Sequence, residues 1–328
     1  MQEVLLTVAI ATYNRGNYLK ENLEVLLPQC VRHSEVIKVV ISDNASEDNT
    51  GDLIMRYMLD YPGLIYYNRN KENLGLQGNF SKAIELSHSK YVYLMGDDDI
   101  LSPNFLDVII PYLITDEEYG IIHWGRLVGD ADCNNNKIQD PIFDAVVGIY
   151  EVGDFIKRTL SSTNFLSSCL FNKKCWELGE ICEDKELSGY GYYARFLNGA
   201  VELNMKCIYY YFPLVIMRNP SRVWAKNWPI YFWCELFGIF KNLDRRIPGV
   251  YDLWVQRSKD KTFYNRNQEL LAIYKDTTYY QPYLNIINES LSRKERVLLI
   301  LIMHKPGVRF IERVYHIFIY IVFRLFYS

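Results

Sequence analysis

A chain of 328 residues with 49% hydrophobic and 23% charged residues carries enough apolar material for a large core, which excludes a disordered chain or a small disulfide scaffold. Its formal charge of −3, from 36 basic against 39 acidic residues, lacks the basic excess that tracks phosphate backbones, so no nucleic-acid partner is expected. The seven cysteines are odd in number, scattered and without metal-ligand spacing, which points to free thiols in a reducing compartment. Met-Gln-Glu at the N-terminus runs directly into a strand-like segment with no basic stretch or small-residue cleavage site, so no signal peptide is expected.

Residues 5–11 (LLTVAIA) form an apolar run of strand formers, followed by a polar turn from Thr12 to Gly16 and a helical pattern to about Leu27. The same unit recurs. Residues 36–42 (VIKVVIS) read as a second strand, with Asn44 and Ser46 expected to cap a helix over 49–59. A third strand over 64–68 precedes a loop at 70–75 and a helix carrying Phe80, Ala83, Ile84 and Leu86; residues 91–95 (YVYLM) are the fourth strand. This alternation predicts an α/β fold with a mostly parallel sheet flanked by helices. In such sheets ligands bind beyond the carboxyl ends of the strands. Here those ends carry Thr12 and Asn14, Asp43 and Asn44, Asn70 and Lys71, and the run Asp97, Asp98, Asp99, all directed to one rim.

Three adjacent carboxylates repel one another and call for a cation or hydrogen-bond donors. An isolated triplet reads more readily as a solvated turn capping a helix from about Ser102. Its position directly after a buried strand favours a hard divalent ion, Mg²⁺ or Mn²⁺, which takes one or two carboxylates and completes its shell with water and diphosphate oxygens. Asp43 can accept from a nucleobase N–H or a ribose hydroxyl. Asn73 and Gly75 open the third helix, where Gly75 allows close backbone approach; an ordinary helix start explains them as well. Lys82 reads as a solvated lysine.

The segments LLTVAIATYNRGNYL, VVISDNASEDNT, NKENLGLQGNFSKAI and YVYLMGDDDIL, in this order over about residues 4–106, resemble the family 2 glycosyltransferases, which have the Rossmann-like GT-A fold. The resemblance implies a nucleotide-sugar donor whose nucleotide is lined by Thr12, Asn14, Asp43 and Asn73, with Arg15, Asn44, Gly75 and Asp98 alongside. It implies Asp97 and Asp99 as a D-x-D pair serving ribose and metal. Ala11 stands where the family usually has proline. Residues 164–177 (NFLSSCLFNKKCWE) are similar to the acceptor-side strand and helix of bacterial O-antigen and capsule enzymes such as abequosyltransferases, which implies a glycan or lipid-linked oligosaccharide acceptor. In many relatives an acidic pair about eleven residues before a helix-ending glycine supplies the general base. Counting back from Gly199 reaches Leu187 and Ser188, so the base falls to Glu186 and Asp184, with Glu183 nearby.

The alternation stops near Met217, and a helical C-terminal extension over 217–328 is expected after a GT-A domain over 1–216. Trp224, Trp228, Tyr231, Phe232, Trp233, Phe237 and Phe240 fit a packed helical cap or, alternatively, sugar-binding platforms. Residues 292–328 hold seven basic and two acidic residues, net +5, around apolar stretches shorter than the roughly 18 residues of a spanning helix. Such a tail suits peripheral contact with an anionic membrane, placing the protein in the cytoplasm at the inner face of the plasma membrane, or equally helices packed on the body of the protein. Two other readings are a catalytically inactive sugar-binding relative and a sugar-phosphate nucleotidyltransferase. The second needs a glycine-rich loop after the first strand, which Thr12 to Gly16 does not provide.

Overall fold

The computed structural model describes residues 4–130, 137–139, 147–160, 163, 165–179, 191–218 and 236–260. At its centre β1 (Leu6–Thr12) pairs in parallel with β2 (Ile37–Asp43) on one side and β4 (Tyr91–Met95) on the other; β3 (Ile65–Arg69) extends the sheet from β2. β1 is buried almost throughout, as expected for a parallel strand covered on both faces. Its residues alternate between two cores. Leu6, Val8 and Ile10 pack with Leu19, Leu23 and Leu26 of α1 (Gly16–Arg32) and Ile54 of α2 (Thr50–Asp60), whereas Ala9 faces Phe80, Ala83 and Ile84 of α3 (Gly75–Glu85).

Register matters most for the site. Thr12 lies opposite Asp43, Asp43 opposite Arg69, and Ile10 opposite Met95, so these strands end at nearly one level. The loops that follow therefore emerge side by side. The first helix runs past the expected Leu27 to Arg32, through Pro28. Tertiary ties carry it on: the Gln29 side chain donates to the carbonyls of Val25 and Ser102 and accepts from the backbone N–H of Leu106. Leu106 belongs to α4 (Phe105–Leu113), which starts later than Ser102 because β5 (Ile100–Leu101) first pairs antiparallel with Ile216 and Val215.

The second half adds β6 (Ile121–Gly129), β7 (Lys137–Gln139), β8 (Val147–Tyr150), α5 (Val152–Thr159), a 3-10 turn at Leu166–Ser168, β9 (Cys169–Asn172), α6 (Lys173–Leu178), α7 (Gly191–Glu202) and β10 (Cys207–Arg218). The strand order is β3-β2-β1-β4-β9-β6-β10-β5, with β7 on β6 and β8 on β10. β9 is antiparallel to both β4 and β6, and β6 and β10 are parallel. Beyond β10 the described residues are helical, α8 (Leu236–Leu243) and α9 (Val250–Asp260), and Phe240 stacks on Trp254 at 4.9 Å within the core shared with α5. Trp224, Trp228, Tyr231, Phe232 and Trp233, the side chain of Phe237 and the basic tail over 292–328 lie outside the described residues. Among the described residues no helix is long and apolar enough to cross a membrane. Cys30, Cys169, Cys175 and Cys207 are buried free thiols.

One expectation is corrected by α7. Gly199 is not a helix-ending glycine but an interior one, seated against the start of α6 so tightly that a Cβ would lie 1.9 Å from the carbonyl oxygen of Cys175. Gly179 meets the carbonyl of Arg195 in the same way. The two glycines let α6 and α7 touch backbone to backbone. Gly199→Ala should accordingly destabilise the protein by about 1–3 kcal/mol through overpacking, read as a lowered denaturant midpoint at unchanged slope. A midpoint equal to that of the unsubstituted chain would show that α6 and α7 separate at no cost.

Candidate active site

The rim begins where β1 ends. Asn14 adopts a left-handed backbone, φ 52°, stabilised by two bonds to the loop after β2: its N–H donates to Ser46 Oγ at 2.9 Å and its Oδ1 accepts from Glu47 N–H at 2.7 Å. Asp43, fully buried, accepts from Ser46 N–H and from the Tyr67 hydroxyl, both at 2.8 Å. Burial and this carboxylate push the Tyr67 phenol above its ordinary range. Arg69 approaches Asp43 at 3.8 Å and donates to the Ser46 carbonyl. Gly16 leaves room at the start of α1, since a Cβ there would stand 2.5 Å from Asn49 Oδ1.

A web of asparagines carries the rim onward. Asn44 was expected to cap the helix after β2; instead its side chain donates to Asn73 Oδ1 at 2.7 Å and accepts from Leu74 N–H at 2.8 Å. Ser46 likewise serves Asn14 rather than α2, whose first turn is held by Asp48 through Thr50 N–H. Asn73 also accepts from Gly75 N–H, and Gly75 has φ 72°, a conformation that a side chain rarely adopts. Beneath them Asn79 bonds the carbonyls of Thr12 and Ser42 and, together with Asn70, closes the net. Asn44 and Asn79 are thus buried framework, holding three loops in fixed relation.

The acidic run stands at the end of β4. Nη1 of Arg15 donates to Asp97 Oδ1 at 3.1 Å and to Asp98 Oδ2 at 2.6 Å. Against the opposing effect of burial, these two carboxylates push the Arg15 guanidinium further up. Asp99 turns inward and is 3% exposed. Its Oδ2 accepts from Ser167 Oγ at 2.5 Å and its Oδ1 from the Arg218 N–H at 3.2 Å. Burial, opposed by Arg15, pushes Asp97 up to about 6; burial and the charge of Asp98 push Asp99 up to about 8. The site therefore resists its own negative charge, which is the demand a divalent cation meets, so the donor set fits such an ion. Among the described residues no three His, Cys, Asp or Glu side chains enclose a single point as a complete metal cage would. A hard cation sharing its shell with diphosphate needs no such cage.

Sequence reading missed the residues that fix this run. Asn22 of α1 donates to the carbonyls of Gly96 and Asp99, both at 3.0 Å. Ser167 accepts from Gly96 N–H, and its carbonyl is gripped by the Tyr93 hydroxyl and the Trp124 indole. Arg218 donates from Nε to the Asp98 carbonyl, pairs with Glu21 and lies over the Tyr18 ring. Ser167 sits within the SSC of the acceptor-like segment, the one signal that could have marked it. The base candidates Glu186, Asp184 and Glu183 lie outside the described residues. His123 is no substitute: it is fully buried, bonded to the Ser168 carbonyl, and burial holds it down at about 3.

The sequence profile of Glycosyl transferase family 2 matches residues 7–175. An abequosyltransferase, RfbV, of Salmonella typhimurium is 29% identical over 238 residues, covering 68% of this chain and 69% of the relative. An uncharacterized glycosyltransferase of Methanocaldococcus jannaschii, MJ1057, is 26% identical over 159 residues, about half of each chain, 48% and 47%. Among solved structures, residues 1–349 of Staphylococcus aureus TarS superpose with a TM-score of 0.60 at 13% identity, covering 82% of this chain and 79% of that one. A mannosyltransferase from Pyrobaculum calidifontis, in complex with GDP-Man and Mn²⁺, gives 0.55 at 16% identity over 91% and 84%. These likenesses bear out the GT-A fold. With the profile covering more than half of its length, the chain belongs to glycosyl transferase family 2 and is a glycosyltransferase enzyme.

Proposed function

We propose that the enzyme moves a sugar from a nucleoside-diphosphate donor to a hydroxyl of a glycan or lipid-linked oligosaccharide in bacterial surface-polysaccharide synthesis. The observation that carries this reading is the convergence of Thr12, Asn14, Asp43 and Asn73 with the acidic run on one rim. Support for the donor class comes from neighbours solved with UDP, UDP-GlcNAc and GDP-Man, and for the acceptor class from the abequosyltransferase relative. We assign catalysis to residues 1–216 with Arg218 at the end of β10, and treat the rest of 217–328 as an extension.

In this reading Asp97 and Asp99, with Asp98 beside them, would hold Mg²⁺ or Mn²⁺, which would supply charge stabilisation to the diphosphate leaving group. Asn14 receives the nucleoside, with Asp43 buried beneath it holding the loop through Ser46 and Tyr67, and Gly75 admits the backbone to close range. The acceptor oxygen bonds to the anomeric carbon as the bond to diphosphate breaks with its electron pair. The hydroxyl proton passes to a carboxylate, for which Glu186 and Asp184 are our candidates. Ser167, Asn22 and Arg218 keep the acidic run from shifting as charge builds on the leaving group.

Incubating the chain with UDP-, GDP-, CDP- and dTDP-sugars and Mn²⁺ should reveal donor hydrolysis with one base. Asp98→Asn should slow it on the order of 100-fold with an unchanged circular dichroism spectrum. Full turnover in that variant, or no hydrolysis with any donor, would count against the reading. The basic tail, with net +5 over 292–328, supports docking on an anionic leaflet. Removing 308–328 should abolish co-sedimentation with phosphatidylglycerol vesicles while hydrolysis persists; undiminished co-sedimentation would remove the tail from the account.

A further inference from the structure

Arg15 is bonded through one nitrogen only. Nη1 stands between Asp97 Oδ1 and Asp98 Oδ2, at 3.1 and 2.6 Å, two carboxylates from successive residues. Among the described residues Nε and Nη2 of the same guanidinium have no hydrogen-bond partner. The Arg15 side chain is 28% exposed against 8% for Asp97 and 14% for Asp98, so the guanidinium covers the carboxylates from the solvent side. It springs from the residue before α1, directly after the loop that carries Thr12 and Asn14. Arg218, the other guanidinium near the run, directs its donors to the Asp98 carbonyl and to Glu21.

We propose that Arg15 is an exchangeable counter-ion. In the donor-free enzyme it neutralises Asp97 and Asp98 and competes with the divalent cation for them; when the cation arrives with diphosphate, the guanidinium leaves the carboxylates and turns its donors to the phosphate oxygens. The proposal rests on the reading of the acidic run as the cation site. Its physical basis is charge. A divalent ion at two carboxylates is opposed by a monovalent one already seated there, and an incoming diphosphate offers that planar guanidinium a bidentate acceptor in exchange. The exchange needs only side-chain rotation, because α1 is anchored independently through Asn22 and Gln29. The free enzyme would then bind metal weakly and nucleotide with metal strongly, so that cation and donor enter together.

A residue that merely orders the loop would weaken cation and donor binding alike when removed. A competing counter-ion moves them in opposite directions. Mn²⁺ binding to the donor-free full-length chain, followed by the loss of the free-ion electron paramagnetic resonance signal, is expected to tighten about tenfold in Arg15→Gln. The KM for the nucleotide sugar is expected to rise about tenfold in the same variant, through the lost contact to phosphate. Arg15→Lys retains the charge and is expected to keep Mn²⁺ affinity within about threefold of the unsubstituted chain, a comparison that stands even where the glutamine variant fails to fold. Asp98→Asn serves as the reference. If it weakens Mn²⁺ binding while Arg15→Gln leaves that binding unchanged or weaker, or while Arg15→Lys tightens it about tenfold, the counter-ion role is overturned and the cation site stands. If Asp98→Asn leaves Mn²⁺ binding intact, the reading of the acidic run itself falls.

Discussion

Asp97, Asp98 and Asp99 place three carboxylates at the end of one buried strand, and much of the surrounding structure answers that concentration of charge. Arg15 reaches across from the end of β1 to Asp97 and Asp98, Ser167 and Arg218 occupy the two oxygens of Asp99, and Asn22 fixes the backbone of the run. These groups come from three regions of the sequence. Their convergence depends on β4 lying next to β1, with β9 wedged against its other edge so that the turn before β9 delivers Ser167. Even with these partners burial leaves Asp97 and Asp99 reluctant to ionise, held near 6 and 8. A site in that condition is prepared for positive charge brought by a ligand.

The other half of the rim is tied together by asparagine side chains. Asn44, Asn70, Asn73 and Asn79 bond one another and the ends of β1 and β2, so that the loops after three strands behave as one body. Such a net cannot slide, because each amide loses two or more bonds if its loop shifts, and unpaired buried amides are costly. Gly75 is held in its unusual backbone by this net through Asn73, and left-handed Asn14 by Ser46 and Glu47.

The sequence reveals the first hundred residues well because local pattern governs them. β1 and β4 are near-continuous apolar runs, each polar loop marks the carboxyl end of its strand, and β4 spans the expected 91–95. What eluded that reading has one property in common. Ser167 meets Asp99 across 68 residues and Arg218 meets it across 119, separations at which no spacing rule operates. Asn44 and Ser46 carry the local chemistry of helix caps, yet long-range partners outbid α2 for both. Gly199 resembles a helix terminator in sequence and is a contact glycine in space, which only the approach of α6 reveals.

Diffraction from crystals grown with Mn²⁺ and the cognate nucleoside diphosphate, collected at the manganese absorption edge, tests the central claim most directly. One anomalous peak is expected between the diphosphate and the carboxylates of the 97–99 run, with the base lying against the Asn14 loop. A peak bound elsewhere, or a nucleotide seated away from this rim, would contradict it.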